Sequence, residues 1–435
     1  MTKLPEEFIT ETRRVMGEER FNRLIGAFEE EAPTSIRLNP RFIHGYRNDM
    51  QSSDSTSFLP ACVKVPWCDE GYYLEGRPQF TFDPLFHAGC YYVQEASSMF
   101  VCHVLKHLVE EPVAMLDLCA APGGKSTAAI ATLPEGSTLV SNEPNPTRAQ
   151  ILLENITKWG YEGCTVTNSY PRDFRKARQR YDVILCDVPC SGEGMFRKDA
   201  QAIGEWSPQN VEKCWRLQRE IVADAWECLN PGGLLIYSTC TFNIQENEEN
   251  VRWIIKEYDA ELLSIPTEAA WGITGSLLNG FDGPVYRFIP GITRGEGLFM
   301  AVMRKRGERN HGDRSRRNHG DRSRDSKQNH GPVPVIPPVI PGKGIKTISI
   351  DLPASDIRQE IPYSEAVRYL RGEALVLPAD TPRGIVTLTY HGFPLGPAKN
   401  IGNRANNLYP KPWRIKTTHL PDQAPEVLRI EELKN

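Results

Sequence analysis

The sequence predicts an α/β protein: a mainly parallel, seven-stranded sheet preceded by an N-terminal α+β region and followed by a small β-rich domain. Three observations predict it. From residue 114 onward, short apolar runs alternate with longer stretches at helical spacing, the pattern of strand–helix units in a parallel sheet. The first of these runs ends in a Gly-Gly turn, Gly123-Gly124, where the next helix should begin. A charged segment then repeats word for word, RNHGDRSR at 309–316 and again at 317–324, and separates the alternation from a tail of different composition. The predicted divisions are 1–100, 101–306, a linker at 307–342, and 343–435.

With 435 residues the chain is long enough for two or three domains, and its net charge of −4 confines any nucleic-acid binding to local basic faces. The eleven cysteines include no CxxC pair and no zinc-type Cys/His spacing, so no metal is expected. The odd cysteine count and the polar start MTKLPEEF predict a reducing, cytoplasmic setting, and no apolar run approaches the roughly 20 residues that span a bilayer.

In chain order, Phe8, Ile9, Val15, Met16, Phe21, Leu24, Ile25 and Phe28 recur near helical spacing and predict one or two amphipathic helices over 4–31. SIRLNP (35–40) predicts a strand closed by Pro40. Residues 41–94 predict short strands and turns, with their many aromatics mainly in a core. Strands are predicted near 114–119, 138–143, 164–168, 181–187, 233–239, 261–265 and 298–304, and helices near 125–133, 146–158, 208–229 and 245–258. The linker repeat is too polar and charged to fold alone, and PVPVIPPVIPG (332–342) predicts an extended polyproline spacer. Between Asp380 and Asp422 there is no acid, while Arg383, Lys399, Arg404, Lys411, Arg414 and Lys416 alternate with Tyr390, Phe393, Tyr409 and Trp413. A basic surface with aromatics suits a phosphate backbone and unstacked bases, so this window predicts RNA binding.

Cys119-Ala120-Ala121-Pro122-Gly123-Gly124-Lys125-Ser126 contains GKS, but a phosphate loop needs glycine where Cys119 stands, and the GxGxxG fingerprint is missing. Glu143, closing the second predicted strand, can accept hydrogen bonds from both ribose hydroxyls of an adenosine. Loop and acid together fit S-adenosylmethionine better than ATP or a nicotinamide cofactor. Two further strands each end by presenting a cysteine: Asp187-Val188-Pro189-Cys190 and Ser238-Thr239-Cys240. A buried cysteine is ordinarily inert, the reading given to Cys102, Cys164, Cys186, Cys214 and Cys228. At strand C-termini beside a cofactor crevice, a thiol is instead a candidate nucleophile.

LDLCAAPGGKS, DVPCSGEGMF and STCTF, in that order, resemble the NOL1/NOP2/Sun family of RNA 5-methylcytosine methyltransferases, and most closely its bacterial RsmF-like branch that modifies 16S ribosomal RNA. SIRLNP and DPLFHAGCYYVQEASSM extend the resemblance across most of 1–305. GFPLGPAKN and NNLYPKPWRIK are similar to the branch's C-terminal RNA-binding region, which implies a PUA-like domain. The resemblance implies a Rossmann-like S-adenosylmethionine-dependent core, with Cys240 as nucleophile on carbon 6 of cytosine and Cys190 assisting release. It implies that Asp187 and Lys125 hold the cytosine edge, and that Cys119 to Lys125, Glu143 and Arg148 hold S-adenosylmethionine. Where the family carries an acid against the adenine amino group, this chain has Tyr170, with Asp173 nearby as a substitute. The alternatives are a transfer-RNA 5-methylcytosine methyltransferase and a non-catalytic RNA-binding assembly factor. A small-molecule or protein methyltransferase is disfavoured, because neither needs the basic window.

Overall fold

In the computed structural model, residues 4–42, 62–307, 341–417 and 420–428 are described. The predicted linker at 307–342, with its repeats, lies almost wholly outside the described residues.

The N-terminal region opens with two helices, α1 (Glu6–Met16) and α2 (Glu18–Ala27), hinged at Gly17, whose φ of 77° suits a residue without a Cβ. Phe8, Phe21 and Leu24 are buried against Phe196, Trp206 and Phe242 of the following region. A small antiparallel sheet follows, ordered β2-β3-β1-β4 from β1 (Ser35–Leu38), β2 (Val63–Lys64), β3 (Gly71–Tyr73) and β4 (Tyr91–Val93). Trp67, Tyr72, Tyr73, Phe80 and Tyr91 are core residues, as expected of aromatics in this region.

The central sheet has nine strands against the seven expected. Its main path runs β10-β12-β9-β8-β5-β6-β7-β13. The strands are β5 (Ala114–Asp117), β6 (Thr138–Asn142), β7 (Cys164–Thr167), β8 (Tyr181–Asp187), β9 (Leu229–Thr239), β10 (Glu261–Leu262), β11 (Tyr286–Phe288), β12 (Leu298–Arg304) and β13 (Thr347–Ile348). β5 to β9 are mutually parallel, and their apolar runs are buried on both faces: Met115, Leu116, Val183 to Cys186 and Leu235 to Tyr237 are fully buried. The two additional strands are β11, which pairs antiparallel with β12, and β13, which joins from beyond the linker. Neither is legible locally, since each is two or three residues long and is held by hydrogen bonds to other parts of the chain.

Four helices stand where periodicity placed them: α3 (Gly124–Thr132), α4 (Pro146–Trp159), α5 (Pro208–Cys228) and α6 (Glu248–Tyr258). Asn145 caps α4 by accepting the N–H groups of Thr147 and Arg148, and Ser207 caps α5 by accepting that of Asn210. Helices Phe100–Leu108, Pro171–Lys176 and Ala200–Glu205 were not anticipated. The last two have only six residues each, too short for an amphipathic period to register.

The C-terminal sheet, β14 (Arg358–Glu360), β15 (Gly384–Tyr390), β16 (Phe393–Asn400) and β17 (Ala405–Asn407), packs one face on helix Tyr363–Leu370 and on Leu85, Ala88 and Tyr91 of the N-terminal region. Here the structure corrects the expected stacking surface. Tyr390 and Tyr409 are buried, and Phe393 and Trp413 are packed on the same cluster, so the four aromatics serve the core. Of the basic residues, Arg383, Lys399, Arg404, Lys411 and Lys416 remain exposed, while half-buried Arg414 donates to the Tyr409 carbonyl.

Candidate functional site

Parallel strands side by side bring their carboxyl ends to one edge of the sheet, and the sheet order reverses about β5, with β6 on one side and β8 on the other. Asp117, Asn142, Asp187 and Thr239 therefore end their strands next to one another, although the chain separates them widely.

The loop after β5 is shaped by Gly123, in the left-handed region at φ 113°, which stands just before the start of α3. A Cβ on Gly124 would touch the side chains of Tyr92 and Gln94, so the loop lies flat on the N-terminal region. Arg37, only 1% exposed, braces it from beneath: it donates to Thr127 Oγ1 at 2.6 Å and Gln94 Oε1 at 2.8 Å, with its guanidinium over Trp159. Asn155 donates to the Pro122 carbonyl at 2.7 Å, and Arg148 to that of Ala121 at 2.8 Å.

Glu143 is buried, one carboxylate oxygen accepting the Asn145 N–H; the other has no hydrogen-bond partner among the described residues and lies 3.5 Å from Arg148. A buried, half-satisfied carboxylate linked through Arg148 to the glycine loop fits an adenosine with ribose hydroxyls to donate. Asp117 is fully buried, and burial pushes its pKa up to about 7 against the opposing hydrogen bond from Ser126. Tyr170 is 56% exposed at the N-terminus of helix Pro171–Lys176, with the Arg172 guanidinium over its ring. Asp173 accepts the Tyr170 N–H at 3.0 Å, so it serves as that helix's cap.

Lys125 Nζ donates to Asp187 Oδ2 at 2.7 Å, and Ser238 donates to Asp187 Oδ1 at 2.6 Å. Burial opposes the charge of Lys125, but the attraction and hydrogen bond from Asp187 outweigh it and raise its pKa. Beyond it, the sulfurs of Cys190 and Cys240 are 3.1 Å apart. Contact with the Cys240 sulfur, then burial, holds the Cys190 thiol well above its usual range. Burial likewise raises the thiols of Cys164, Cys186, Cys214 and Cys228, whereas Cys102 faces Cys68, whose contact lowers its pKa against the opposing effect of burial.

Two buried carboxylates absent from the expected set hold the cysteine loops together. Glu193 accepts the N–H groups of Phe242 (2.6 Å) and Asn243 (3.0 Å) and the Trp206 indole. Glu246 accepts the Ser191 N–H and the amides of Gln218 and Asn243. Gly194 N–H donates to the Cys240 carbonyl at 2.7 Å, and a Cβ on Gly194 would overlap that oxygen. The only sequence signal for Glu193 was its place between two glycines, three residues after Cys190, and Glu246 carried none. Among the described residues no cluster of His, Cys, Asp or Glu is arranged to hold a metal, and no helix is long and apolar enough to cross a membrane.

Comparison with known proteins adds three family matches. Residues 104–304 match the family described as 16S rRNA methyltransferase RsmB/F, residues 4–96 the N-terminal domain of 16S rRNA methyltransferase RsmF, and residues 358–415 the methyltransferase RsmF PUA domain. The chain is 35% identical over 312 residues to ribosomal RNA small subunit methyltransferase F of Pectobacterium atrosepticum, an alignment covering 70% of this chain. Against the protein of the same name from Escherichia coli, identity is 33% over 308 residues, covering 69% of this chain. It spans 63% of the length of each of these relatives. Among solved structures, a methyltransferase homologue from Pyrococcus horikoshii has the same fold, with TM-score 0.55 and 24% identity over 69% of this chain and 100% of that one. NSun6 from the same organism, solved with SFG, gives TM-score 0.55 and 21% identity over 70% of this chain and 99% of that one.

Proposed function

The chain belongs to the RsmF-like branch of the NOL1/NOP2/Sun methyltransferases, and from that premise we propose that it methylates carbon 5 of a cytosine in ribosomal RNA, 16S RNA by its branch. One observation carries the chemistry: two thiols in contact, 3.1 Å apart, at the ends of adjacent strands, beside an ion pair formed by Lys125 and Asp187. S-adenosylmethionine, when bound, supplies an electrophilic methyl group; the loop from Cys119 to Lys125, with Glu143 and Arg148, would hold it.

Carbon 5 of cytosine is a poor nucleophile. In this reading the Cys240 thiolate adds to carbon 6 and makes carbon 5 electron-rich. Asp187 and Lys125 hold the pyrimidine edge, with Ser238 fixing the second oxygen of Asp187. After methyl transfer Cys190, once its own proton has passed to solvent, accepts the carbon-5 proton; the C–H electron pair restores the carbon 5–carbon 6 double bond and Cys240 leaves as thiolate. The base must be unpaired or flipped, because stacking covers both of its faces. The exposed Arg383, Lys399, Arg404, Lys411 and Lys416 supply phosphate contacts.

The test is bisulfite sequencing of ribosomal RNA from cells lacking the gene, complemented with wild type or Cys240→Ala. One cytosine should lose protection in the deletion and regain it only with wild type. If no ribosomal site changes, the ribosomal substrate is rejected and transfer RNA is examined next.

Because Tyr170 occupies the place of the family's adenine-contacting acid while Asp173 caps its own helix, Tyr170→Asp should bind S-adenosylmethionine at least as tightly as wild type. A marked loss of affinity by calorimetry would count against that placement of the adenine.

A further inference from the structure

Residues 345–350 lie outside all three family matches, between 304 and 358, yet they contact segments that support the cofactor site. Without them β7 would be the open edge of the central sheet, with unpaired backbone groups. β13 covers that edge antiparallel, Thr347 opposite Thr167 and Ile348 opposite Val166. The pairing continues past the strand: the Lys346 carbonyl accepts the Asn168 N–H at 2.8 Å, and the Lys346 N–H donates to Ser169 Oγ at 2.9 Å.

Those two residues are themselves links to the site. The Asn168 amide donates to the main-chain carbonyls of Glu143 (2.8 Å) and Pro144 (2.9 Å), and the Ser169 N–H donates to Asn142 at 3.0 Å. The next residue is Tyr170. Ile348 and Ile350 pack on the cluster that contains Ala120 and Ala121 of the glycine loop with Leu152 and Val166. One short segment thus supports the loop, the backbone of the ribose acid and the residue on the adenine side.

We propose that residues 345–350 are a strap that positions the adenosine end of the cofactor pocket, so that cofactor affinity depends on a segment leading into the C-terminal RNA-binding domain. The proposal rests on the reading of this pocket as an S-adenosylmethionine site. Lys346 acts through its backbone, as a positioning residue.

In the full-length chain, Lys346→Pro deletes the N–H that binds Ser169, whereas Lys346→Ala keeps it. S-adenosylhomocysteine binding by calorimetry should weaken about fivefold or more in Lys346→Pro, the factor one net hydrogen bond is worth. Lys346→Ala should recover most of that loss, and the affinity of both variants for a ribosomal RNA fragment should stay together. The double variant Ile348→Asp/Ile350→Asp, which removes the apolar anchor, should weaken S-adenosylhomocysteine in the same way. Equal affinity in wild type, Lys346→Pro and the double variant overturns the strap, as does a parallel loss of RNA and S-adenosylhomocysteine binding, which marks general unfolding. If the wild type itself fails to bind S-adenosylhomocysteine, the cofactor reading falls and takes the strap with it.

Discussion

Cys190→Ala should accumulate a covalent protein–RNA complex that survives denaturing electrophoresis, while Cys240→Ala forms none and loses methyl transfer altogether. Both thiols sit at strand ends with their sulfurs 3.1 Å apart, so position alone does not separate attacker from helper. Their surroundings differ. The Cys190 thiol is pushed up by the Cys240 sulfur and by burial, which favours its protonated form and suits a group that acts late. On the proposed roles, removing it should leave carbon-6 addition and methyl transfer intact but slow elimination, so that the adduct persists. The Cys190→Ala/Cys240→Ala double variant should trap nothing. An adduct that forms without Cys240 would reverse the roles.

Glu248→Ala should lower stability by about 3–5 kcal/mol, the cost of leaving one partner of a buried ion pair alone. Glu248 and Arg287 are 0% and 1% exposed; the guanidinium donates to Glu248 through two nitrogens, one at 2.7 Å, and to the Phe242 carbonyl at 2.8 Å. Glu248 also accepts the Leu277 N–H at 2.9 Å. With the carboxylate gone, a buried cation keeps one neutral acceptor. For a domain of roughly 200 residues this lowers Tm by about 6–20 °C in calorimetry. Because Phe242 lies two residues after Cys240, methyl transfer should fall more than RNA binding. Glu248→Met with Arg287→Leu should be less destabilised than Glu248→Ala alone, since no charge is stranded. A change within about 1 kcal/mol in the single variant would show that the pair contributes little.

Local chemistry made much of the molecule legible. α4 was readable from the strand–helix alternation, β8 from the continuous run Tyr181 to Asp187, and the loop at Gly123 from its Gly-Gly turn. Helix Phe100–Leu108 and the buried aromatics of the C-terminal sheet were not readable in their final roles. A tyrosine such as Tyr409 has the same local signature whether it stacks on a base or packs against Tyr369 and the N-terminal region.

By itself the sequence determined the strand–helix alternation, the cysteine at each of two strand ends, and the glycine loop with its acid one strand later. Each rests on residue types and their order along the chain, not on contacts between distant segments. Only the tertiary structure decided that Lys125 pairs with Asp187, that Glu193 and Glu246 bind the two cysteine loops, that Arg37 braces the glycine loop, and that residues beyond the linker complete the sheet. These are contacts between distant parts of the chain. Burial turns an ordinary loop carboxylate such as Glu246 into a structural acceptor, and local sequence carries no record of burial that comes from packing elsewhere.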